Sequence, residues 1–120
     1  MASRIEKPTI VKAVGTKDKI IREIFGLVNS QDSHLSIAHM TSPEGWEEPG
    51  QCPEFDEFTY VLNGILKVET KDLTFNVEAG QAVQAQKHEW VRYSTPYPGG
   101  ADYIAVCLPA FSIDTVHRDD

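Results

Sequence analysis

The chain has 120 residues, enough for one domain with a buried core and too few for two ordinary ones. Its 18 acidic against 11 basic residues leave a formal charge of -7, which offers no general attraction to phosphate backbones or anionic lipid and excludes nucleic acid and membrane as expected partners. The start, MASRIEKPTIVKAVG, joins no basic segment to a long apolar run, and no stretch nears the roughly 20 apolar residues of a membrane helix. The expectation is a single cytoplasmic domain over residues 1–120.

Gly and Pro recur at intervals of roughly ten residues, the spacing of turns between short strands. The first β-rich run is 9–14 (TIVKAV). Residues 19–28 (KIIREIFGLV) carry part of a helical stripe, but the run is β-branched and interrupted by Gly26, so it reads as a strand leading through NSQDS. Further runs follow at 35–41, 57–63, 64–70, 73–78, 82–86, 90–94 and 102–108, separated by turn chemistry such as KD, EAG and STPYPGG. Asn63-Gly64 predicts a type I′ hairpin that pairs the runs on either side of it, because both residues tolerate positive φ. So many antiparallel strands must hide their edges, which points to an all-β closed barrel or jelly roll.

Strand alternation sorts the side chains. Glu57, Thr59 and Val61 share one face, while Phe58, Tyr60 and Leu62 share the other. Both faces are too apolar to meet water freely, so one should line an interior and the other pack on a second layer or a second subunit, which predicts a homodimer. In 90–94, Val91 and Tyr93 fall on one face and Trp90, Arg92 and Ser94 on the other; if the first of these faces is the inner one, Trp90 and Arg92 lie outside and stack together. Cys52 and Cys107 have no CxxC or CxxH neighbour and are expected as reduced thiols, with Cys107 buried in YIAVCL. His34 and His117 lie in polar, turn-like contexts, whereas His39 alternates with Ala38 and Met40 and is either structural or turned toward a cavity. The acidic stretch holding Glu44, Glu47, Glu48, Glu54 and Asp56 lacks the spacing of a calcium loop and reads as a solvated loop.

Within PEGWEEPGQCPEFDEFTYVLNG, residues Gly45, Glu57 and Gly64 resemble the Gly, Glu and closing Gly of the first cupin motif, and YVLNG stands where that family often has YVLEG. In GQAVQAQKHEWVRYSTP, Gly80 fits the opening of the second cupin motif, but Gln86, His88, Val91 and Thr95 stand in the places of its Pro, Gly, His and Asn. The two motif-like segments, 45–64 and 80–95, imply one cupin domain, a double-stranded β-helix of the jelly-roll type.

The resemblance also implies a metal held by two histidines and a glutamate of the first motif and a histidine of the second. Here the first two places hold Gln51 and Pro53 in one register, or Gly50 and Cys52 in the other, and the fourth holds Val91. Only Glu57 remains of that set. No metal site is therefore expected, although a divalent cation on a displaced set of Gln51, Glu57 and His88 stays open.

An inward Glu57 without a metal should feel desolvation, which raises its pKa and suits it to general acid or base work. The alternative is a structural carboxylate bonded to a Tyr or paired with an Arg. Glu57 and Tyr93 are the expected catalytic pair, and Gln51, Cys52, Thr59, Val61, Val91 and His39 the expected ligand-binding residues. The expected function is binding of a small organic molecule in the barrel, with metal-independent proton transfer of isomerase or lyase type. A non-catalytic ligand-sensing or structural module, and a metal-dependent enzyme with a non-standard ligand set, are the rival readings.

Overall fold

A computed structural model describes residues 1–120. Nine strands follow in chain order: β1 (Thr9–Val11), β2 (Ile20–Phe25), β3 (Ser36–Ser42), β4 (Trp46–Glu47), β5 (Asp56–Thr70), β6 (Thr74–Glu78), β7 (Ala82–Ala85), β8 (Val91–Thr95) and β9 (Ala101–Leu108). One short helix, α1 (Ile113–Val116), ends the series, with the Ser112 hydroxyl accepting from the Asp114 N–H as its N-cap. All pairings are antiparallel, and the strands run β1-β2-β3-β9-β5-β8-β4, with β6 and β7 also paired to β5. The all-β expectation holds, and the strand over 19–28 is present as β2. Strand β1 stops at Val11, and β4 and α1 are additions that the local pattern does not announce.

The long strand β5 organises the fold and overturns the predicted hairpin. Residues Asp56 to Gly64 pair with β9 and, over Glu57 to Tyr60, with β7; residues Ile65 to Thr70 pair with β6 and β8. The chain therefore passes straight through Asn63-Gly64 from one sheet into the other. A type I′ turn needs positive φ at both residues, and only Gly64 has it, at +80°. The register against β9 slips between Val61 and Asn63, so Leu62 is the extra residue of a bulge just before the dipeptide, while Asn63 and Gly64 stay paired with Asp102 and Ala101. A Cβ on Gly64 would overlap the Gly100 carbonyl oxygen, which gives a second reason for glycine at the corner. The chain reverses instead at Thr70–Leu73, where the Thr70 N–H donates to the Leu73 carbonyl at 2.7 Å.

Alternation along the strands builds the core as expected. Val61, Leu66, Val68, Val77, Val91, Tyr93 and Tyr103 gather with Trp46 in the larger apolar cluster, and Phe55, Cys107 and Val116 form a smaller one against Phe111. Fully burying each of the aliphatic members contributes about 1.5–3 kcal/mol. The predicted stacking of Trp90 on Arg92 does not occur. Arg92 Nε donates to Glu69 Oε2 at 2.6 Å, and Trp90 lies over Gly50 with its Nε1–H donating to Asp119 Oδ2 at 2.8 Å. Each found a partner on a neighbouring strand or segment that the spacing of residues 90–94 alone does not show.

Candidate functional site

Between the two apolar clusters lies a cavity of about 740 Å³, bordered by Tyr93 and Tyr103 from the larger cluster and Cys107 and Phe111 from the smaller. Its size falls within the range of small-molecule sites. The period of two along β5 aims Glu57 and Thr59 into it; β8 supplies Tyr93, and β3 supplies Ser36, Ala38 and Met40. Glu48 and Gln51 enter from the segment between β4 and β5, Lys19 from just before β2, and Arg118 from just after α1. Gln51 is held in place because its backbone bridges both Val91 and Arg118.

Glu57 is buried in this cavity, only 7% exposed. Its Oε2 accepts from the Cys107 thiol at 3.7 Å, while Oε1 and the nearby Tyr93 hydroxyl have no hydrogen-bond partner. Burial raises the Glu57 pKa, opposed in part by the Tyr93 hydroxyl, Lys19, the Cys107 thiol and Arg118. Glu48, 8% exposed, is raised to about 7, first by desolvation and then by the Glu57 charge, against the lowering effect of Lys19 and Arg118. Burial, followed by the negative charge of Glu57, pushes the Tyr93 phenol well above its usual value, and the same two causes push the Cys107 thiol up. The arrangement thus holds two desolvated carboxyls that keep protons at higher pH than usual, beside a tyrosine that stays a donor.

Four of the expected site residues meet here: Glu57, Tyr93, Gln51 and Thr59. The other four do not. Val61 and Val91 point inward but are 0% exposed in packed apolar core and border no part of the cavity. Cys52 is exposed, with its thiol donating to the His88 carbonyl at 3.2 Å. His39 lies on the opposite face of β3 from Ala38 and Met40, with Nε2 3.7 Å from Asp102 Oδ1, so its side chain turns away from the interior. Glu48, read as part of a solvated loop, is buried instead. Lys19, Glu48 and Arg118 are the site residues that local pattern missed; they lie outside the long strands, where no periodicity reports the direction of a side chain.

The residues present do not fit the cupin metal. The displaced set fails because His88 is exposed, at φ +70°, and borders no part of the cavity. No three His, Cys, Asp or Glu side chains converge as a ligand cluster. Of the displaced set only Gln51 and Glu57 reach the cavity, two side chains where a bound transition metal usually has three or more protein ligands.

No family model matches the chain. Solved structures share its fold. The polyketide cyclase RemF from Streptomyces resistomycificus aligns at TM-score 0.77 and 19% identity over 100% of this chain and 87% of its own. An RmlC-like cupin from Shewanella frigidimarina aligns at TM-score 0.72 and 18% identity over 90% of this chain and 89% of its own. Oxalate decarboxylase from Bacillus subtilis aligns at TM-score 0.78 and 15% identity over 95% of this chain and 30% of its own. The fold is that of the cupins, as the two motif-like segments imply. In sequence, the chain is 35% identical over 101 residues to the endoribonuclease YbeY of Myxococcus xanthus, matching 84% of this chain and 34% of that protein. The chain thus spans about a third of the length of the curated relative it matches.

Proposed function

We propose that the cavity binds a small organic molecule and that Glu57 exchanges a proton with it, without a metal, in an isomerase- or lyase-type reaction. The observation that carries this reading is the pair of unpartnered buried atoms, Glu57 Oε1 and the Tyr93 hydroxyl, at one cavity. Leaving a buried polar group unsatisfied costs about 1–3 kcal/mol, a cost that a ligand with matching polar atoms removes. In the isomerase form, ionised Glu57 takes a proton from the carbon that lies between a carbonyl and a carbon–carbon double bond, and the C–H electron pair moves into a dienolate. Tyr93 donates a hydrogen bond to the dienolate oxygen, and protonated Glu57 returns the proton to the far carbon of the former double bond, which shifts into conjugation with the carbonyl. No oxidant or reductant is required. The overlap of the whole chain with a polyketide cyclase supports a cavity used for an organic molecule, and the formal charge of -7 argues against RNA as the ligand of this segment.

The proposal extends to a second copy of the chain packing on the outer face of β5, where Phe58, Tyr60 and Leu62 are 38%, 48% and 40% exposed. No helix is long and apolar enough to cross a membrane; a cytoplasmic setting, in keeping with two free thiols, belongs to the same proposal.

The test is a thermal-shift screen against small organic acids, ketones and phenols, since any molecule that binds only the folded state raises the melting temperature. A stabilising compound that is turned over should remain bound by Glu57→Gln while its conversion stops. Unchanged turnover in Glu57→Gln overturns the proton-transfer role. One equivalent of a transition metal retained after dialysis overturns the metal-independent reading.

A further inference from the structure

Two cations reach the cavity without a carboxylate to neutralise them. Neither Lys19 nor Arg118 has an acidic oxygen within 4.0 Å, although Glu48 and Glu57 border the same space. Aromatic rings hold them instead. Lys19 Nζ lies 4.0 Å from the centre of the Trp46 ring and 5.2 Å from that of Tyr103. The Arg118 guanidinium carbon lies 5.6 Å from the centre of the Phe111 ring, and Arg118 Nε is buried without a hydrogen-bond partner.

Both cations are also anchored from behind. The Trp46 ring is fixed by its Nε1–H donating to the Val14 carbonyl at 3.0 Å. The backbone around Arg118 is tied to the barrel by its bridge to Gln51 and by the Asp119 N–H donating to the Gly50 carbonyl at 2.8 Å. Ring faces attract a cation but leave its N–H donors free, whereas a carboxylate partner would occupy them.

The remaining charged groups of the lining do not compensate. Glu23 Oε2 already accepts from the Val28 and Asn29 N–H groups at 2.9 and 2.7 Å, and Lys12 and Asp114 are exposed. Burial raises the pKa of both Glu48 and Glu57, and Glu48, raised to about 7, offsets the cations only in part at neutral pH. The rest of the wall is largely apolar, including Ile21, Met40, Ala105 and Phe111.

We infer that Lys19 and Arg118 form a subsite for an anionic oxygen, so that the molecule this cavity takes is an organic acid with an apolar body. The inference rests on the proposed use of the cavity for a small organic ligand and names its class. The carboxylate meets the Arg118 fork, whose planar donors suit it, and the Lys19 ammonium; the apolar body lies along β3 and β9. A polar end held there places the remainder of the molecule against Glu57 and Tyr93.

The test uses matched acid and amide pairs: 3-phenylpropanoate with its amide, 2-naphthoate with 2-naphthamide, and decanoate with decanamide. Each is titrated by calorimetry at neutral pH into the full chain and into Arg118→Gln, Arg118→Lys and Lys19→Gln. At least one acid should bind tenfold or more tightly than its amide. That preference should vanish in Arg118→Gln, fall in Lys19→Gln, and persist in Arg118→Lys, with circular dichroism showing each variant folded. Equal binding of acid and amide overturns the anion subsite while leaving a ligand-binding cavity intact. An acid preference unchanged in both Arg118→Gln and Lys19→Gln also overturns it. If no probe binds, the inference fails, and the broader reading fails with it only if the thermal-shift screen is also silent.

Discussion

Replacing Glu48 with Gln should change how stability depends on pH, because this carboxyl is buried in the cavity beside Glu57. Its pKa rises from 4.5 to about 7 in the folded chain. Between those values the folded state binds more protons than the unfolded state, so the Glu48 contribution is fully present below pH 4.5 and is lost as pH rises through 7. A shift of that size corresponds to about 3 kcal/mol, taking roughly 1.4 kcal/mol per pH unit. Glutamine occupies nearly the same volume and stays neutral, so Glu48→Gln lacks this loss. Relative to wild type, the variant should therefore gain about 3 kcal/mol between pH 4.5 and 8, with most of the change below pH 7. Spread over an unfolding entropy of roughly 2 cal/mol/K per residue, this corresponds to a melting difference about 12 °C larger at pH 8 than at pH 4.5. Thermal unfolding followed by circular dichroism at half-unit pH steps reads the difference directly, because titrations shared by both proteins cancel. A melting difference that stays constant from pH 4.5 to 8 would refute the assignment of Glu48 as a desolvated carboxyl.

Gly64→Ala should destabilise the fold by at least about 1–2 kcal/mol from the left-handed backbone alone, with more from the overlap with Gly100, as measured by urea unfolding. A variant as stable as wild type would contradict the left-handed backbone and close packing at Gly64. Val91→Ala should cost about 2 kcal/mol, the methyl groups lost plus the void they leave, without altering the affinity of a cavity ligand; a large loss of affinity at unchanged fold would return Val91 to the cavity wall. Tyr60→Glu should shift the protein toward a monomer in light scattering coupled to gel filtration if a second copy packs on the outer face of β5. An identical mass for wild type and variant would dismiss that packing.

Much of the barrel was legible in the chain because a strand's period of two is a local property. It put Glu57, Thr59 and Val61 on one face and Phe58, Tyr60 and Leu62 on the other, and it kept Val91 and Tyr93 together; the cupin resemblance implied that Glu57 and Val91 face inward. The glycine at position 64 was equally visible as a site of unusual backbone. Whether Asn63-Gly64 reversed the chain or bent it was not, because that depended on which partners the two halves of β5 found. They paired with β9 and β7 up to Gly64 and with β6 and β8 beyond it, rather than with each other.

Alternation in the sequence settled which side chains share a face; closure of the barrel decided which face is the inner one and which inner side chains border space. Val61 and Tyr93 share the same inward orientation, yet Val61 is closed off by packing and Tyr93 borders a cavity. That distinction depends on the volumes contributed by strands distant in sequence, and alternation within one strand carries no information about it. The same reason hid Lys19, Glu48 and Arg118. Glu48 and Arg118 lie in segments with no repeating pattern, Lys19 stands at the very start of its run, and only closure of the barrel brings their charges to the carboxyl of Glu57.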